Sequence, residues 1–202
     1  AEYLVDTIYN RVTQLLNERD ILKRELARQS NGTIEQDKAF AATGFKEIVL
    51  TGADVASYPY GLVEISRRIL EEVPVIERLR YGSLDPAPLG KDFIELVQQY
   101  PQVMPYFHFS IQSGDNLILK RMGRRHSRED VLELIRRIRA CRPDATFGAD
   151  FITGFPTETE AQFENTVKLV HEAQLTHLHV FPYSEREGTP AAKMPEIGRA
   201  HV

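Results

Sequence analysis

Apolar residues at Ile8, Val12, Leu15, Leu22 and Leu26 recur with a four–three spacing broken only at Arg19, and charged residues fill the positions between them. This spacing predicts one amphipathic helix over roughly the first thirty residues, suited either to self-association or to lying along a domain. Ser30, Asn31 and Gly32 read as its C-terminal stop.

After Gly32 the rhythm changes. "TIEQDKAFAATG" reads as a helix and leads into the apolar run "KEIVLTG". Helices at about 61–72, 90–99, 127–141 and 158–173 then precede "ERLRYGS", "YFHFSIQSG", "TFGADFITG" and "THLHVFPYS". Short strands alternating with amphipathic helices predict an α/β fold with a parallel sheet and right-handed crossovers. Few of the strands alternate strictly, as expected when both faces of a sheet are covered. The turns "TGAD", "GSLDP", "SIQSGD", "ADFITGFPTET" and "FPYSEREGTP" are polar, and all fall at the carboxyl ends of strands. In parallel α/β architectures that edge binds ligands.

Composition narrows the picture. A chain of 202 residues supports one sizeable core. Its net charge of −4 excludes nucleic-acid binding through overall charge and leaves room only for a local patch. The single cysteine, Cys141, excludes an intrachain disulfide framework and a cysteine metal cluster, and its helical context suggests a packed thiol. No stretch has the length of a membrane span and no signal peptide opens the chain, so a cytoplasmic setting is expected.

Several residues at the strand ends carry candidate chemistry. Thr51, Gly52 and Asp54 offer a hydroxyl, a close backbone approach and a carboxylate suited to an ammonium group. Ser83 and Asp85 precede Pro86, which favours an extended exit from the strand. Ser110 and Gln112 share one side of their strand, opposite Ile111, and a buried Gln amide needs partners. Thr157 is expected to cap the next helix, with Glu158 and Glu160 in its first turn. Helix initiation explains most of "GFPTET" but not Asp150, which with Ile152 ends the preceding strand. His177 and His179 face the same way; without a third ligand at suitable spacing they read as polar strand positions. Arg124 and Arg125, in a basic run with Lys120, Arg121 and Arg128, suit a carboxylate or phosphate.

Together, "VLTGADVASY", "RLRYGSLDP", "HFSIQSGDNLILKRMGRRHSRED", "FGADFITGFPTETEAQFENT" and "LTHLHVFPYSEREGTPAAKMP" resemble the radical S-adenosylmethionine domain of the methylthiotransferases. The likeness covers about residues 32–195 and is greatest to the branch acting on threonylcarbamoyladenosine in tRNA. It implies a partial parallel βα barrel lacking its first strand, with S-adenosylmethionine and a 4Fe–4S cluster at the carboxyl-end mouth. Reductive cleavage of the former gives a 5′-deoxyadenosyl radical in that family. By position, the resemblance places Thr51, Gly52 and Asp54 at the methionine amino group. Ser110, Gln112 and Arg124 fall at the polar methionine portion, Asp150 and Ile152 beside the adenosyl group, and Phe181 and Tyr183 on the last strand, with Ser83 counted among the cofactor-binding residues. The neighbouring basic residues would then face phosphate of a tRNA anticodon loop.

Departures from the family pattern are equally specific. The family's C-x3-C-x2-C motif does not occur in these residues, so a 4Fe–4S cluster would find no set of protein thiolates and the chain alone is expected not to run the radical reaction. The expected division is a foreign helix at 1–31, an incomplete core at 32–195 and a tail at 196–202. That tail, "EIGRAHV", matches a translation of a sequencing adapter and suggests a gene fragment. Rival readings are a methylthiotransferase for isopentenyladenosine tRNA or a ribosomal protein, and a non-catalytic RNA or protein interaction module. A barrel enzyme for phosphorylated metabolites is a further rival, but "GFPTET" makes a poor phosphate loop.

Overall fold

The computed structural model describes residues 30–51 and 61–195. The heptad helix, Gly52, Asp54 and the 196–202 tail therefore lie outside the described residues. In chain order the elements are α1 (Ser30–Ala42), β1 (Glu47–Leu50), α2 (Gly61–Glu72), β2 (Arg78–Tyr81), α3 (Lys91–Gln99) and β3 (Tyr106–Gln112). Then follow α4 (Asn116–Arg121), α5 (Arg128–Cys141), β4 (Thr146–Thr153), α6 (Glu160–Glu172), β5 (His177–Pro182) and a 3-10 turn at Ala191–Lys193.

Every paired strand is parallel: β1 with β2, and β3 with β4 and β4 with β5. Bridges Leu79–Val103 and Leu84–Phe109 join the two groups, and Leu84 N donates to His108 O and Ser110 N to Leu84 O, both at 2.8 Å. The order is thus β1-β2-β3-β4-β5, the predicted parallel βα architecture. Among the described residues β1 and β5 have unpaired outer edges, and β5 is exposed along its whole length.

Three local expectations need correction. Ser30, Asn31 and Gly32 have helical backbone within α1, so they are not the expected helix stop. The short α4 follows the turn after β3, where the Asp115 carboxylate accepts from Leu117 N at 3.0 Å and Ile118 N at 3.1 Å. Finally, α6 starts after Thr159, not Thr157: Thr159 N and Oγ1 donate to Gln162 Oε1 at 3.0 and 3.1 Å. Thr157 instead sits at φ +72°, with its Oγ1 accepting from Arg121 at 2.6 Å, while Glu158 accepts from Gly154 N. Two threonines two residues apart offer competing caps, each with a capping-box partner three positions on, Glu160 or Gln162, so the local pattern does not choose between them.

The helices cover one face of the sheet. There Phe93, Phe107, Phe109 and Phe147 are fully buried, Phe93 meeting Phe107 edge-on at 5.9 Å and Phe107 stacking on Phe147 at 6.0 Å. Burying each such side chain stabilises by about 1.5–3 kcal/mol, with roughly 0.5–1.5 kcal/mol more for a well-placed ring pair. The turn after β3 is pinned to α6: a Cβ on Gly114 would lie 2.5 Å from Thr166 Cα, and Asn165 and Gln162 donate to Asp115. This packing holds the carboxyl end of β3 in a fixed place.

Candidate functional site

The face away from the helices is polar. On β3, Tyr106, His108 and Ser110 alternate with the buried Phe107, Phe109 and Ile111. Asp150 on β4 gathers the polar side. Its Oδ1 accepts from His108 Nε2 at 2.8 Å and His179 Nδ1 at 3.1 Å, and its Oδ2 accepts from Ser83 Oγ at 2.7 Å. Ser83 also bonds Ser110 Oγ at 2.6 Å. Ser83 follows β2, so the sheet curls enough for it to reach past β3 to β4. Burial opposes ionisation of Asp150, but the bonds from Ser83, His108 and His179 outweigh it and hold the carboxyl below its usual range.

Beside Asp150 opens a cavity of about 610 Å3 at the carboxyl ends of β3, β4 and β5. Gln112, Ile152, Phe181 and Tyr183 line it. Gln112 reaches it through a register irregularity after Phe109 and a left-handed backbone at φ +78°, which turns the chain out of the strand. Such a conformation is unusual for a residue other than glycine and marks a locally constrained position. The Tyr183 hydroxyl is buried without a hydrogen-bond partner, its ring edge-on to Phe155 at 5.4 Å. An unpaired buried hydroxyl costs stability unless a ligand supplies the missing partner.

The structure thus unites Ser83, Ser110, Gln112, Asp150, Ile152, Phe181 and Tyr183 of the predicted set. Thr51 stands apart from the cavity lining; its Oγ1 occupies the space beside Gly82, where an added Cβ would meet it at 2.7 Å. Arg124 is half-buried, and burial lowers its pKa against the attraction of Asp85 and Asp150. The rest of the basic run is more committed than expected. Arg121 donates to Thr157, Arg125 pairs with Asp85 at 2.8 Å, and Arg128 pairs with Glu172 at 2.9 Å. These internal partners compete with phosphate for those three side chains.

Sequence reasoning missed His108, and it read His179 only as a polar strand position, without its bond to Asp150. Their shared partner lies on a third strand, so no spacing along the chain displays the group. The period-two series His108, Ser110, Gln112 was the available signal, beside an Asp150 that capping did not explain. Gly148 was also missed. A Cβ there would lie 2.5 Å from both His108 Nδ1 and the Tyr106 hydroxyl, so the bare backbone makes room for those two side chains.

Comparison with known proteins bears on this arrangement. Residues 33–170 match the Radical SAM superfamily. The threonylcarbamoyladenosine tRNA methylthiotransferase of Rickettsia prowazekii is 51% identical over 173 residues, 82% of this chain and 41% of that protein. A tRNA-2-methylthio-N(6)-dimethylallyladenosine synthase of Erythrobacter litoralis is 38% identical over 178 residues, 84% of this chain and 40% of that one. The chain spans about two-fifths of the length of these curated relatives. Among solved structures, Escherichia coli coproporphyrinogen III oxidase, a radical SAM enzyme, superposes with a TM-score of 0.57 at 19% identity, over 78% of this chain and 37% of that one. Elp3 of Methanocaldococcus infernus gives 0.53 at 16% identity, over 78% and 43%. At such identities the likeness speaks for the fold alone. The sequence resemblance to methylthiotransferases holds, and with its parallel βα architecture the chain belongs to the radical SAM superfamily.

Proposed function

We propose that this chain forms the S-adenosylmethionine-binding wall of a methylthiotransferase acting on threonylcarbamoyladenosine in tRNA, in the cytoplasm. The observation that carries the reading is the 51% identity to the Rickettsia enzyme of that name, against 38% to a dimethylallyladenosine synthase. The cavity fits the cofactor's chemistry. Ile152 and Phe181 offer apolar surface to a purine, and the orphaned Tyr183 hydroxyl offers it a hydrogen bond. Gln112 presents an amide on the lining, and Arg124, outside the lining but within electrostatic reach of Asp150, a partly desolvated cation for a carboxylate. When bound, the cofactor supplies the methyl and radical chemistry; the residues here bind it, orient it and exclude water.

The residues do not fit a 4Fe–4S cluster. Cys141, the sequence's one cysteine, ends α5 just before β4 begins, at the opposite edge of the sheet from the cavity, and its Sγ donates to Ile138 O at 3.3 Å. Iron and sulfide reconstitution of these 202 residues is accordingly expected to yield no stoichiometric cluster. A cluster absorption band that disappears in Cys141→Ser would overturn this.

Calorimetry with S-adenosylmethionine tests the binding reading. Weak binding is expected for the chain, and a further drop of roughly ten- to a hundredfold in Arg124→Ala, the cost of one charge-assisted hydrogen bond. Gln112→Ala is expected to weaken binding too. Equal affinity in all three proteins would show that the cofactor is not held by these residues.

A further inference from the structure

We propose that His108, Asp150 and His179 form a binding site for a single divalent transition-metal ion of the Zn2+ class, on the inner face of the sheet next to the cavity. His108 Nε2, Asp150 Oδ1 and His179 Nδ1 come from three adjacent strands and lie within 4.8 Å of one another. Two imidazoles and a carboxylate are a donor set that binds such ions strongly.

The surroundings are those of a ligand set rather than of three residues in chance contact. Asp150 sits opposite His179 in the strand register, so the pairing of β4 with β5 fixes their separation. The atoms pointing away from the convergence point are held as well. The Tyr106 hydroxyl meets His108 Nδ1 at 2.9 Å, and Ser83 Oγ donates to Asp150 Oδ2 at 2.7 Å. Partners on the far side of metal-bound imidazoles and carboxylates orient them in this way. Gly148 leaves the space in which His108 and Tyr106 meet.

Nε2 and Nδ1 lie 2.8 and 3.1 Å from the shared oxygen. A tetrahedral ion with bonds of about 2.0–2.1 Å separates its ligand atoms by about 3.3 Å. An opening of a few tenths of an ångström at each nitrogen–oxygen pair, with the two ring nitrogens, which lie within 4.8 Å of each other, drawn to the same spacing, admits it. The side chain of His179 is 62% exposed, so its strand can make that adjustment. The rings bind the ion as neutral imidazoles, each ligating nitrogen giving up the hydrogen it shares with Asp150 Oδ1. His108 then carries its proton on Nδ1, facing the Tyr106 oxygen. A fourth coordination position remains for water or a small anionic ligand, since the protein supplies three donors.

The experiment is titration of the metal-free chain with Zn2+ by calorimetry, and with Co2+ by visible absorption, using circular dichroism to confirm that each variant stays folded. The expected result is one ion per chain with the absorption of a low-coordinate Co2+ centre. Tyr106→Phe should weaken binding by about 10–100-fold, the usual cost of losing an outer partner. His179→Ala, an exposed position, should weaken it further, and His171→Ala, an exposed position in the last turn of α6, should leave it unchanged. Absence of stoichiometric binding, or binding that survives His179→Ala, would overturn the site. Because the probe is the metal alone, neither result depends on whether S-adenosylmethionine occupies the cavity.

Discussion

Toward the helices, β3 and β4 present Phe107, Phe109, Ile111, Phe147, Ala149 and Phe151, all essentially without exposure. Toward the other side the same strands present Tyr106, His108, Ser110, Gly148 and Asp150, joined to one another and to their neighbours by hydrogen bonds. The first face is specified by volume and needs only apolar side chains of suitable size. On the second, each polar atom depends on one particular partner, and a missing methyl at Gly148 matters as much as a charge at Asp150. Stability resides mainly in the first face and binding chemistry in the second. Variants on each should therefore behave differently.

The largest effect is expected from Phe107→Ala. The ring is fully buried between Phe93 and Phe147, and its removal leaves a cavity that the close-packed helices cannot fill. A loss of about 3–5 kcal/mol is expected, measurable as a fall in the urea midpoint at unchanged slope. A loss below about 1 kcal/mol, the range of a volume-conserving swap, would show that the helix-facing side is not the main source of stability.

Gly148→Ala comes next. The added methyl would meet His108 Nδ1 and the Tyr106 hydroxyl at 2.5 Å, so one of them must move. A loss of about 1–3 kcal/mol is expected, as for overpacking generally. It should be accompanied by weaker Zn2+ binding, because His108 is displaced. Full stability with unaltered metal affinity would mean that the inner face is more pliant than its hydrogen bonds suggest.

The two faces also differed in how far they could be read from the sequence. The helix-facing side was legible, because apolar runs between amphipathic helices signal a buried parallel sheet whatever the residues' partners. Ser110, Gln112 and Asp150 were legible as polar residues at strand ends. The convergence of His108, Asp150 and His179 was not, because it depends on the register of three strands, and a shift of one residue would turn the group apart. The Thr157 cap failed for a related reason: local preference fitted two threonines, and the pairing of Arg121 with Thr157 is a tertiary contact. The mapping of Thr51 and Arg124 to the cofactor came from resemblance, not from a pattern in the chain.

The smallest effect concerns the shape of the stability curve against pH. Asp150 is held below its ordinary value of 3.8, because its bonds from Ser83, His108 and His179 outweigh the burial that opposes ionisation. A carboxyl depressed in the folded state contributes stability above its unfolded value and loses it as pH falls through the folded one. His126 acts in a higher window. Burial lowers it from 6.5, against a hydrogen bond to Ile111 O and the attraction of Asp85, so the folded state favours the neutral ring. The unfolded chain then binds more protons below pH 6.5, and stability declines from there until the folded ring itself titrates. Asp37, raised by burial to about 6, adds stability as it is protonated and so offsets His126 in that window. The acid fall in urea midpoint is therefore left mainly to depressed carboxyls such as Asp150, Asp85 and Asp130. In Asp150→Asn the fall below pH 3.8 should be shallower than in the wild type, with the other depressed carboxyls, Asp85 and Asp130 among them, keeping part of it. Phe107→Ala should instead lower the curve at every pH without altering its shape, because it removes no titrating group. If Asp150→Asn and the wild type stay parallel below pH 3.8, the Asp150 hydrogen bonds contribute no net stability to the fold. The inner face would then serve binding alone.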